Sequence, residues 1–128
     1  MTDPAARVGT VRVVIADDDP DIRVLLRSLL DLDRRIEVSG EASDGREALE
    51  RFAELSPDVL VLDERMPVMY GLEVAQRVLA DHPDQVVILC TAYVDATVME
   101  TAANLGVRSV LGKGEIHRLG EEILRLVS

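Results

Sequence analysis

A three-layer α/β sandwich around a parallel sheet of strand order 2-1-3-4-5 is the fold this sequence predicts, and three features predict it. Short, nearly uninterrupted apolar runs alternate with longer amphipathic stretches of helical period. Five such pairs follow one another along 128 residues, a usual size for one domain. The second run alternates apolar with polar residues and the fifth is short, which marks both as edges; right-handed crossovers then leave few arrangements.

The elements follow in order. Val11 to Ala16, Val59 to Leu62 and Val86 to Cys90 are apolar runs suited to strands covered on both faces. Ile36, Val38, Gly40 and Ala42 alternate with Glu37, Ser39 and Glu41, and Ser109 to Gly112 is the short fifth strand. Between them the period becomes helical. Ile22, Leu25, Leu26, Leu29 and Leu30 form one face, and Ala48, Leu49, Phe52 and Ala53 the next. Ala75, Val78 and Leu79 follow, then Val98, Met99 and Ala102, then Ile116, Leu119, Ile123 and Val127. Pro20 or Asp21 is expected to open the first helix, Ser43 or Asp44 the second, and Pro83 to close the third.

Hydrophobic residues make up 48% and charged residues 30%, a globular balance, and with aromatics at 2% the core must be aliphatic. A net charge of −10 repels phosphate backbones and anionic lipid, which argues against direct nucleic-acid or membrane binding. Cys90 is alone and cannot form an internal disulfide. Residues 1–9 lack the apolar core of a signal peptide, and no run approaches membrane-spanning length. The expected organisation is a flexible tail over residues 1–9 and one domain over 10–128, in the cytoplasm.

Ligands of such a sheet bind at the carboxyl ends of the strands, beside the point where strand order reverses. The first strand ends in Asp17, Asp18 and Asp19, the third in Asp63 and Glu64, the fourth in Thr91, and the fifth runs into Lys113. Crowded carboxylates repel one another, and a hard divalent cation relieves that repulsion. Few protein ligands, with room for water and a phosphate oxygen, describe magnesium better than calcium. A carboxylate nucleophile beside a metal, a hydroxyl and a lysine suits phosphoryl transfer. Asp19 and Asp21 read as solvated or capping acids, Glu64 as an exposed loop acid, His82 and His117 as surface residues, and Cys90 as core.

Val13-Val14-Ile15-Ala16-Asp17-Asp18, Asp63-Glu64-Arg65-Met66-Pro67-Val68-Met69-Tyr70-Gly71, Thr91-Ala92 and Lys113 together resemble the CheY-like response regulator receiver domain of two-component signalling. Gly40 to Leu49 further resembles receivers of the NarL/FixJ (LuxR-type) group. The resemblance implies a flavodoxin-like (βα)5 fold with Asp63 as acceptor of phosphate from a sensor histidine kinase. It implies Mg²⁺ held by Asp18, Asp63 and the Arg65 backbone carbonyl, with Asp17 acting through a water. Lys113 would pair with the phosphoryl group and Thr91 would be the switch hydroxyl. The fourth helix, fifth strand and fifth helix would form the output face, for an output domain, a partner protein or, on phosphorylation, a second copy of the chain. The chain would be a single-domain regulator or the receiver part of a NarL/LuxR-type transcriptional regulator, an enzyme only in phosphorylating and dephosphorylating its own Asp63.

Val110 stands where receivers usually carry Tyr or Phe, so the alternative reading is a pseudo-receiver, a binding module that switches without phosphorylation. An Asp-nucleophile phosphatase typically has a second Asp two residues after the first, where this chain has Arg65. A flavin-binding relative would need a hydroxyl- and glycine-rich loop after the first strand, which this sequence lacks.

Overall fold

The computed structural model describes residues 9–128; apart from Gly9, the expected tail lies outside the described residues. The chain runs β1 (Val11–Ala16), α1 (Pro20–Leu30), β2 (Ile36–Ala42), α2 (Gly45–Leu55), β3 (Val59–Leu62), α3 (Gly71–Asp81), β4 (Val86–Thr91), α4 (Ala96–Leu105) and β5 (Ser109–Gly112). A 3₁₀ segment, Lys113–Arg118, then leads into α5 (Leu119–Val127). All strand pairings are parallel and the order is β2-β1-β3-β4-β5, as expected.

The apolar runs are continuous because both faces of the central strands are covered. Val14, Leu60, Leu62, Val87 and Leu89 point to one side, against Ala48 of α2, Val74, Ala75 and Val78 of α3 and Ala102 of α4. Val13, Ile15, Val59, Val61 and Ile88 point to the other, against Leu26 and Leu30 of α1 and Leu119 and Ile123 of α5. Each fully buried Leu or Ile contributes about 1.5–3 kcal/mol. Cys90 is buried among them, and desolvation pushes its thiol up to about 11.

Helix starts follow local chemistry. Asp19, not Asp21, caps α1: its Oδ1 accepts the Asp21 backbone N–H at 2.9 Å, and Pro20 takes the first helical position. Asp44 caps α2 by accepting from the Glu47 N–H, while Glu47 reaches back to the Ser43 N–H and hydroxyl. These Ser43 contacts hold the Glu47 carboxyl below its usual range. The third helix stops at Asp81, with His82 as its cap ahead of Pro83.

Three expectations change. The regular alternation of β2 is broken between Val38 and Gly40, where the register against β1 shifts and Ser39 is the extra residue. Ile36 and Val38 therefore face α1 and α5, whereas Gly40 and Ala42 face α2. Glu41 is turned toward α1 and pairs with Arg23 and Arg27 at 3.3 and 2.7 Å. The last helix is interrupted too, since Ile116 belongs to the 3₁₀ segment. Finally, Met99 is 51% exposed: in α4 only Ala102 is fully buried, with Val98 and Leu105 partly buried against the core.

Deletion of Ser39 leaves every other β2 side chain on its present face. The expected outcome in thermal unfolding is a cooperative transition whose Tm falls by only a few degrees. Deletion of Glu37 instead turns Ile36 away from α1 and should cost far more.

Candidate functional site

Strand order reverses between β1 and β3, and the carboxyl ends of those strands carry Asp17 and Asp63. The parallel ladder extends one residue past each strand: the Asp63 N–H donates to the Ala16 carbonyl at 2.9 Å, the Asp17 N–H to that of Ala42 at 3.0 Å. Both carboxylates are thereby fixed side by side, Asp17 1% and Asp63 5% exposed. Lys113, the first residue after β5, places Nζ 2.9 Å from Asp17 Oδ2 and 3.1 Å from Asp63 Oδ2. The other oxygen of Asp17 accepts the Asp19 N–H at 2.9 Å. Among the described residues no buried side-chain nitrogen or oxygen lacks a partner.

One ammonium does not balance this set. Burial, reinforced by the charge of Asp17, raises the Asp63 carboxyl above its ordinary 3.8 despite Lys113. Burial is the largest single influence on the Lys113 ammonium and pulls it down, but Asp17 and Asp63 together outweigh it and hold it above its usual value. Asp18, on the exposed side, brings a third carboxylate, and one oxygen from each of Asp17, Asp18 and Asp63 lies within 4.8 Å of the others. Hard oxygen donors with surplus negative charge fit a small divalent cation.

The loop after β3 is tied close beneath the site. Gly71 opens α3 where a Cβ would collide with the Asp63 carbonyl oxygen. Its N–H donates to the Glu64 carbonyl at 2.9 Å. Glu64 is not the exposed acid expected: it is half-buried, and its Oε1 accepts the Leu72 N–H at 2.8 Å, supplying the side-chain cap that Tyr70 cannot. Burial raises its carboxyl. Between these anchors Val68 has φ +73°, and the Met69 N–H donates to the Pro67 carbonyl at 2.8 Å.

Thr91 is buried at the end of β4, its hydroxyl oxygen 3.5 Å from the Tyr93 N–H, a long hydrogen bond. So Asp17, Asp18, Asp63, Thr91 and Lys113 all stand at one rim, as anticipated. Arg65 is in the adjoining loop, and its guanidinium lies over the Tyr93 ring, Cζ 4.9 Å from the centroid. No sequence pattern announced that contact, because it joins two loops whose spacing only the fold sets. His82 and His117 are exposed, as expected.

A family model described as the response regulator receiver domain matches residues 13–123. The chain belongs to this family. A protein-glutamate methylesterase/protein-glutamine glutaminase of Geobacillus kaustophilus is 45% identical over 95 residues, 74% of this chain but 26% of that protein. The receiver thus spans about a quarter of the length of that relative. Chemotaxis protein CheY of Thermotoga maritima is 32% identical over 102 residues, 80% of this chain and 84% of its own. The receiver domain of the NarL regulator of Mycobacterium tuberculosis superposes with TM-score 0.82 at 34% identity, over 91% of this chain and 97% of that one. The CheY-like and NarL-type resemblances read from the motifs therefore both hold, and the chain is a two-component receiver. Among the described residues no helix is long and apolar enough to cross a membrane.

A raised carboxyl is a stability statement. Because the folded state favours protonated Asp63, its contribution is fully present below the unfolded value and lost as pH rises through the folded one. In chelator, Asp63→Asn should therefore melt above the wild type at neutral pH, with the gap closing toward pH 3 or so. Melting curves across pH test this. A wild type that is the more stable at neutral pH would show that Lys113 fully compensates.

Proposed function

We propose that this receiver accepts a phosphoryl group on Asp63 from the phosphohistidine of a sensor histidine kinase, in a Mg²⁺-dependent reaction. The observation that carries the reading is the buried Asp63 carboxylate, held on Lys113 beside Asp17 and Asp18 at the switch point of the sheet. An Asp63 oxygen attacks phosphorus, the P–N bond breaks, and the imidazole leaves with its electron pair. Lys113, already poised on Asp63, follows the developing charge onto a phosphoryl oxygen. Thr91, whose hydroxyl oxygen accepts a long hydrogen bond and whose proton is free to turn, donates to another.

Asp18, Asp63 and the Arg65 carbonyl would hold the metal, with Asp17 reaching it through a water. When bound, the ion offsets the negative charge of the carboxylates and the transferred group. Water later hydrolyses the acyl phosphate, so the domain catalyses only its own modification and its reversal. The reaction belongs in the cytoplasm, where a lone buried thiol such as Cys90 stays reduced.

The phosphorylated state is read out at α4, β5 and α5, by an output domain, a partner protein or a second copy. Val110 is half-buried and packs with the α2–α4 core, so no aromatic on β5 follows Thr91. The α4 helix itself buries little besides Ala102, which leaves it free to shift at small cost.

Incubation with acetyl phosphate and Mg²⁺ should add one phosphoryl mass to the chain, mapped to the Asp63 peptide and absent in Asp63→Ala or in chelator. Lys113→Ala should slow the labelling by about 10²-fold, the scale of losing one charge-stabilising group. An unlabelled wild type, with candidate kinases as well as the small donor, would favour the phosphorylation-independent pseudo-receiver.

A further inference from the structure

Arg23, early in α1, is turned inward, and its side chain is only 19% exposed. Its Nη1 donates to the Asp17 backbone carbonyl at 2.6 Å, and its Nε lies 3.3 Å from Glu41 Oε1. Glu41 comes from the edge strand β2, and it meets α1 only because Ser39 is an extra residue; in an unbroken strand it would face α2. Its other oxygen is 2.7 Å from Arg27 Nε, which fixes the carboxylate from a second side.

The contact with Asp17 falls where the sheet stops. The last ladder bond runs from the Asp17 N–H to the Ala42 carbonyl, and the Asp17 carbonyl lies beyond it. Asp17 Oδ1 accepts the Asp19 N–H at 2.9 Å. The short turn that presents Asp18 is therefore pinned at its start by Arg23 and at its end by the Asp17 carboxylate.

We propose that Arg23 is a positioning residue for the cation, and that Glu41 holds it on the Asp17 carbonyl and off the carboxylates. This rests on the reading of the metal site given above. Magnesium demands near-octahedral geometry, so the angle between the Asp17 and Asp18 side chains matters as much as their charge. A guanidinium bonds a carboxylate more strongly than a carbonyl. Without a carboxylate of its own, Arg23 would turn to the oxygens of Asp17 and Asp18 and stand where the cation belongs. Glu41 supplies that carboxylate, offsets the charge of Arg23 and leaves one donor for the carbonyl.

Calorimetric titration of the whole chain with Mg²⁺ provides the test, because charge and position predict opposite signs at Arg23. Were Arg23 only a nearby positive charge, Arg23→Ala would tighten Mg²⁺ binding. As a positioning residue, its loss should weaken binding by about tenfold, the scale for an outer partner of a metal ligand. Arg23→Lys keeps the charge without the planar fork and should recover only part. Glu41→Gln should weaken binding too, yet add little in the double variant, because it acts through Arg23. Melting curves in chelator establish that each variant is folded. Unchanged or tighter binding in Arg23→Ala, or unchanged binding in Arg23→Lys should the alanine variant not fold, would overturn the role of Arg23 and leave the metal site intact. Losses that add in full would overturn the part given to Glu41. No Mg²⁺ binding by the wild type would overturn the metal site and this inference with it.

Discussion

Two buried carboxylates share one ammonium, and the rest of the rim is organised by that imbalance. Asp17 and Asp63 cannot move apart, because each is held by a ladder hydrogen bond continuing from its strand. Lys113 cannot satisfy both as a full counter-charge, and the raised Asp63 carboxyl records the deficit. A site with this surplus of negative charge suits a cation, and under the proposed function the added positive charge is what a transferred phosphoryl group would use. The crowding of carboxylates that raises Asp63 is thus also the feature on which the proposed chemistry depends.

The scaffold tolerates this because the charge crowding is confined to one end of a sheet whose remaining core is aliphatic. Val, Leu, Ile and Ala fill both layers, and the lone Phe52 lies at the periphery, edge-on to His82 at 5.1 Å. The helices differ in how firmly they are held. Five residues of α3 are buried, including Gly71 against the Asp63 carbonyl, whereas α4 buries one. The more deeply buried helix therefore stands under Asp63, and the less buried one follows the loop that carries Thr91 and Tyr93.

Much of this was legible in the sequence because it is written in local periods and strand ends. Five apolar runs, an alternating second strand and a short fifth strand were enough to order the sheet. Asp17, Asp18, Asp63, Thr91 and Lys113 could be gathered at one rim because each follows or ends a recognisable strand. Features that depend on two segments meeting were not legible. The extra residue at Ser39 is defined only by what lies across the ladder, and without it Ile36 and Ala42 look like neighbours on one face. Glu64 looked exposed because its partner, the Leu72 N–H, becomes available only when α3 begins directly beneath it. The place of Arg65 on Tyr93 depends on the distance between two loops, and no motif encodes that.

The irregularity in β2 also bears on how the molecule behaves among its own copies. An unpaired strand edge is a template for another strand, and a flat, regular, apolar edge invites stacking into aggregates. Here the exposed edge strand is broken in mid-length at Ser39 and flanked by Glu37 and Glu41, while the opposite edge, β5, offers only four residues before the chain turns into a 3₁₀ segment. Neither border of the sheet presents a long, regular edge to a neighbour, which guards a sheet this rich in β-branched residues against edge-to-edge stacking.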